Sequence, residues 1–192
     1  MSGSYPTTPV PESITITGIS PALVSVTHSL RRQVRSRGGQ RWKIEADYAP
    51  LTRAAFAPLF AFANAQRGQY ETFTYVPPVY GSTSGTATGT LLVDNASGYA
   101  AGDITLDIDG LAGVLKAGDF VKFSGQDKVY MLASDSTTSI TLTQPLVAAV
   151  VDDEEITYND VPFVVAFVND SQQFDRGIDD LHNFSITLTE VI

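Results

Sequence analysis

Residues 40–76 constrain the fold more than any other stretch of the chain. Trp42, Ile44, Ala46 and Tyr48 alternate with Arg41, Lys43, Glu45 and Asp47. Successive strand side chains point to opposite faces, so this pattern predicts a half-buried antiparallel strand. Leu51-Thr52-Arg53 then leads into Ala54, Ala55, Phe56, Leu59, Phe60, Phe62 and Ala63 at helical spacing. The pattern predicts a helix over about 52–66, with Thr52 at its N-cap and Gly68 as its stop. Pro58 lies inside this run; it lacks a backbone donor, so the helix is expected to begin late or to kink there. Tyr70 to Val76 alternates as a second strand, with Phe73 and Tyr75 on one side, and Pro77-Pro78 ends it. The spacing of Trp42, Phe56, Phe60 and Phe62 suits a strand packed on a helix, which favours core over a ligand pocket.

Around this segment the signals are mainly those of strands. Residues 1–13 read as an extended lead in which Pro6, Pro9 and Pro11 block regular structure. Ile14 and Ile16 mark a short strand ended by Gly18. Leu23 to Val34 favours strand again, and Gly38-Gly39 marks a turn before the return at Trp42. Together these predict a long β-hairpin whose tip carries Arg31, Arg32, Arg35, Arg37 and Arg41. Residues 81–90, rich in Gly, Ser and Thr, resemble a linker. Short strands follow at 90–94, 104–108, 119–123, 128–133 and 139–143, the pattern of a small barrel or sandwich. Pro162 opens a hydrophobic strand from Phe163 to Val168. After a polar stretch, Phe184, Ile186, Leu188 and Glu190 form one face of a last strand. The expected fold class is mainly β: a β-sandwich with one flanking α-helix and an inserted small all-β module. Residues 1–77 plus 162–192 would form one discontinuous domain, with 78–161 inserted.

Charge divides along the same lines. Residues 1–77 carry eight basic and four acidic side chains, 78–161 three and twelve, and 162–192 one and five; the total is −9. Such asymmetry fits either oppositely charged faces that meet in an assembly or ordinary surface clustering. The net charge argues against sequence-independent nucleic-acid binding by the whole chain. With no cysteine, disulfides and thiolate metal sites are excluded. No apolar run approaches the roughly 20 residues of a membrane span, and the polar N-terminus lacks the charged n-region of a signal peptide.

Candidate chemistry is thin, and neither a cofactor nor a catalytic residue is expected. Asp107-Ile-Asp109-Gly110 alternates like a calcium loop but lacks the later ligands, so a β-turn is the better account. Asp152 to Glu155 reads as a solvated acidic loop. His28, and His182 beside Asp179 and Asp180, could each be imagined as a base with an orienter, a pattern with little specificity. In the insertion, Phe120 alternates into the core. Tyr99 and Tyr130 are more open, and they are the residues to test for stacking on a glycan.

Four features coincide: Trp42-x-Ile44 before Pro50-Leu51-Thr52-Arg53; an Ala- and Phe-rich helix ending in Gln66-Arg67-Gly68; Phe73-x-Tyr75-x-Pro77; and a chain ending in Phe184-Ser-Ile-Thr-Leu-Thr-Glu190-Val-Ile192. In this order they resemble the distal tail protein of siphophages, which shares its core fold with the tail tube. The stretch from Leu115 to Phe123, with Val129-Tyr130 and Ile140-Thr-Leu142, is similar to small β-modules of phage structural proteins. The resemblance implies a tail-tube-like β-sandwich closed into a homo-oligomeric ring, a hexamer, at the tail tip of the virion, assembled in the host cytoplasm. Such a ring joins the tail tube protein to the tail hub protein and lets DNA pass without specificity; there is no membrane insertion and no turnover. Arg31, Arg32, Arg35, Arg37 and Arg41 would contact a neighbouring subunit or line the channel, against the plainer reading of a solvated hairpin tip. Two alternatives stay open: another ring-forming tail protein (tube or terminator), and a host-glycan-binding module in the insertion.

Overall fold

The computed structural model describes residues 3–171, 173, 175–176 and 181–192. The first strand, β1 (Ser13–Ile19), pairs antiparallel with β4 (Arg41–Asp47), Ile16 opposite Ile44. Between them β2 (Ala22–Val26) pairs with β3 (Arg32–Ser36), Val24 opposite Val34. The long hairpin is therefore built in two tiers, and its reversal lies at Thr27–Arg31, where Thr27 N donates to Arg31 O at 3.0 Å. This corrects the expectation of one strand from Leu23 to Val34. Gly38-Gly39 is a break between tiers instead of the turn. On β4 the expected alternation is seen: Trp42, Ile44 and Ala46 are buried, while Arg41 and Asp47 are exposed.

Helix α1 (Arg53–Ala65) packs Phe56, Leu59 and Ala63 inward. Burying a side chain the size of Phe or Leu contributes about 1.5–3 kcal/mol. Thr52 occupies the N-cap with extended backbone, but its side chain makes no capping bond. Pro58 sits in the helix interior on the exposed side. The helix does not begin late: it starts at Arg53 and runs through Pro58 to Ala65, and the Ala54 carbonyl left without its donor lies on an exposed turn that water can reach. The helix ends at Ala65 with Gln66 as its C-cap, and Arg67, at φ +55°, turns the chain left-handed before Gly68, where φ is +67° and a Cβ would collide with the Asp170 backbone. The next strand, β5 (Phe73–Tyr75), follows directly.

The stretch after Pro78 forms β6 (Leu91–Val93), β7 (Thr105–Asp109), β8 (Phe120–Phe123), β9 (Val129–Met131), β10 (Ser139–Thr141) and β11 (Glu155–Thr157). They make one six-stranded sheet in the order β10-β7-β6-β11-β8-β9. Strand β11 had no expectation attached to it. It follows directly on the acidic run, and only Ile156 of its three residues is buried. Residues 81–90 are not a free linker. Thr86 N and Thr88 N donate to the Val114 and Ala112 carbonyls, and a Cβ on Gly85 would strike the Val114 oxygen.

Asp119 fastens this segment. Its carboxylate accepts from Ser84 N at 2.9 Å, Ser84 Oγ at 2.8 Å, Lys116 N at 2.9 Å and the Thr83 hydroxyl. Burial works against its charge, but these donors outweigh burial and hold the carboxyl below its ordinary value. A carboxyl lowered in the folded state stabilises fully above its unfolded value, about pH 4, and loses that contribution as pH falls further. Asp119→Ala is expected to cost about 1–3 kcal/mol, because it removes the shared acceptor of four part-buried hydrogen bonds. Urea midpoints at pH 7 and pH 3 should show the gap between variant and parent narrowing at the lower pH.

The chain then returns as β12 (Phe163–Phe167), β13 (Asp175–Arg176), β14 (His182–Asn183) and β15 (Ser185–Glu190). Every residue of β12 is buried, as expected for a strand lying between two others with both faces covered. The resulting five-stranded sheet has the order β1-β4-β15-β12-β5, all antiparallel, and α1 flanks its core. Among the described residues the protein is mainly β with one helix and several sheets, the class expected from the sequence.

The two larger sheets are keyed together by buried groups. Trp42 stacks edge-on against Phe120 at 5.1 Å, and its Nε1 donates to the Val129 carbonyl at 2.8 Å. Lys128 Nζ donates to Glu190 Oε2 at 2.6 Å and to Gln40 Oε1 at 2.7 Å. Glu190 also accepts from Trp42 N at 3.1 Å and Val129 N at 2.8 Å. Both charges are almost fully buried. Burial pushes the Lys128 ammonium down from its ordinary value, while Glu190 opposes the shift.

Candidate subunit interface

Among the described residues nothing covers the hairpin arm formed by β2 and β3. Every residue of both strands is exposed. The alternation of strand residues places Val24, Val26 and Val34 on one face, each more than half exposed. At the reversal Leu30 is 85% exposed and adopts φ +61°, a left-handed backbone that leucine seldom takes. The turn closes with Leu30 N donating to Thr27 O at 2.9 Å and Arg31 N to Thr27 Oγ1 at 3.2 Å.

The five arginines do not cluster at the tip. Only Arg31 belongs to the reversal; Arg32 and Arg35 lie on β3, Arg37 at the break between tiers, and Arg41 at the start of β4. Arg41 and Lys128 line a cavity of about 470 Å³ between the arm's base and the six-stranded sheet. Among the described residues none of the five joins a salt bridge. Sequence reading found the charges but missed the exposed apolar residues beside them. The signal was present: an alternating strand pattern presupposes a buried face, and within this chain the arm has none.

The remaining candidates serve the fold. Tyr130 is 1% exposed, its ring sits edge-on to Phe123 at 5.6 Å, and its hydroxyl bonds Gln126 and Val147 N. It offers no ring face to a glycan, which corrects its candidacy. Tyr99 is half-buried, and its hydroxyl accepts from Asp107 N at 2.8 Å. Asp107 and Asp109 are exposed positions of β7 leading into the Gly110 turn. Asp152 accepts from Asn95 N, while Glu154 accepts from Gly125 N and Val151 N, so the acidic run stitches turns together. The His182 ring stacks on Phe56 at 4.7 Å; Asp179 and Asp180 lie outside the described residues. His28 belongs to the arm's reversal. Among the described residues no group of three His, Asp or Glu side chains is placed to hold a metal ion, and no helix is long and apolar enough to cross a membrane.

No family model and no curated protein matches this chain.

Proposed function

We propose that the protein is a structural subunit of a homo-oligomeric ring, in the manner of the distal tail proteins of siphophages that its sequence resembles. The observation that carries this reading is the arm. A two-stranded ribbon in water is marginal at best, and this one exposes valines on one face and arginines along its length. Covering that surface with a neighbouring subunit supplies what the chain itself lacks. The arm joins one end of the five-stranded sheet, and its docking on a surface other than a second arm makes the contact heterologous, the kind that generates rings when the rotation closes. The insertion's charge of −9 gives an acidic surface that the arginines would meet favourably in orientation and rate. In this reading the ring lies between tail tube and tip hub and passes DNA without gripping it, as its overall acidity favours. Tube and terminator proteins share the ring, and the arm does not distinguish among them.

Mass photometry and negative-stain microscopy at rising concentration, with and without hub and tube proteins, test the reading. Closed rings are expected from the intact chain. Replacing residues 21–37 by a short glycine turn should abolish them while leaving the melting of the rest of the fold little changed, since all of these residues but the half-buried Thr27 are exposed. An intact chain that stays monomeric even with its partners would refute the proposal.

A further inference from the structure

At the opposite end of the five-stranded sheet from the arm lies a cavity of about 250 Å³. The buried Tyr5, Tyr48, Tyr75 and Pro77 line it, together with the exposed Val79 and Asp160. Its position follows from the chain path: Pro11 precedes β1 and Tyr48 follows β4, whereas the arm joins the other ends of the same two strands.

Three properties mark the cavity as a receptor. Tyr48 Oη donates to Tyr5 Oη at 3.3 Å, but Tyr75, 3% exposed, has a hydroxyl with no hydrogen-bond partner. A buried hydroxyl without a partner is costly and calls for an acceptor. The rim is apolar and open, with Val79 87% exposed at φ +68°, a conformation rare for a β-branched residue. Beside it Asp160 joins no salt bridge among the described residues.

The arm's reversal has the complementary features. Leu30 is the most exposed large apolar residue of the arm, and Arg31 follows it without an acidic partner. We infer that Leu30 of one copy enters the tyrosine-lined cavity of a second copy. Arg31 pairs with Asp160, and entry of the turn shifts the Tyr75 ring so that its hydroxyl, closed to solvent in the free chain, can donate to a turn carbonyl. Knob and cavity sit at opposite ends of one sheet, so a chain does not fill its own cavity and the contact runs head to tail. The inference rests on the self-assembly reading above and specifies which surface receives the arm.

The test compares the intact chain with Leu30→Asp, Arg31→Glu, Asp160→Lys and the double exchange Arg31→Glu with Asp160→Lys. Self-association is followed by sedimentation velocity, and folding by thermal melts. Leu30→Asp is expected to raise the concentration needed for assembly at least about tenfold at unchanged melting temperature, as loss of a central anchor does. Each single charge reversal should weaken assembly, and the double exchange should restore it. Rings that form equally well in Leu30→Asp and in Arg31→Glu would overturn this contact and leave the ring reading standing, even if Asp160→Lys fails to fold. Open chains that depend on Leu30 would uphold the contact and refute the ring. An intact chain that is monomeric throughout, with hub and tube proteins present as well as alone, would overturn both.

Discussion

Glu190→Ala is expected to destabilise the protein by about 3–5 kcal/mol, because it leaves the Lys128 ammonium buried beside Trp42 without its counter-charge. The loss exceeds that of an ordinary hydrogen bond for two reasons. Lys128 keeps only Gln40 as an acceptor, and Trp42 N and Val129 N both lose theirs. Part of the cost is relieved by neutralising the ammonium, since burial already disfavours its charge. Glu190→Ala should therefore recover stability as pH rises above the lysine's lowered value toward its ordinary one, where the folded state has shed the proton and the unfolded state still holds it. Replacing both partners, as in Lys128→Met with Glu190→Leu, removes the charge problem and should cost less than Glu190→Ala alone. Urea unfolding of the single and double variants gives both comparisons. A single variant within about 1 kcal/mol of the parent would mean that water reaches the pair.

Trp42→Ala is expected to cost about 3–5 kcal/mol, the range for emptying a buried aromatic site. The side chain is shared by the two larger sheets: it packs on Phe120, which in turn meets Phe163 edge-on at 5.3 Å. Trp42→Phe separates packing from hydrogen bonding. It retains a ring against Phe120 but leaves the Val129 carbonyl without the Nε1 donor, a loss of about 1–2 kcal/mol. The Trp42 ring and the Glu190 carboxylate both hold the Lys128–Val129 segment, with the ammonium 5.6 Å from the ring, so their effects should not add. If the six-stranded sheet unfolds independently, Trp42→Ala will split the thermal transition in two; a single shifted transition would show that the sheets unfold as one unit.

Much of the fold was legible because it depends on local periodicity. Trp42, Ile44 and Ala46 read as inward from alternation alone, as did Ile186 and Leu188, and all are buried. The same alternation put Glu190 on the apolar face, but nothing local showed that its partner is Lys128, 62 residues away. The arm misled for a related reason. Leu23 to Val34 has the composition of one strand, and the reversal at Thr27–Arg31 contains no glycine to announce it; Leu30 takes the left-handed conformation instead.

The sequence by itself determined which residues can form strands, where the one helix lies and which face of each strand is apolar, because a side chain's direction follows from backbone period. Only the tertiary structure decided that the apolar face of β2 and β3 has nothing to cover it, that Tyr130 is core, and that a tyrosine-lined cavity lies across the sheet from the arm. Burial is a property of what packs on a surface. In this chain that is settled by pairings between residues as far apart as Trp42 and Glu190.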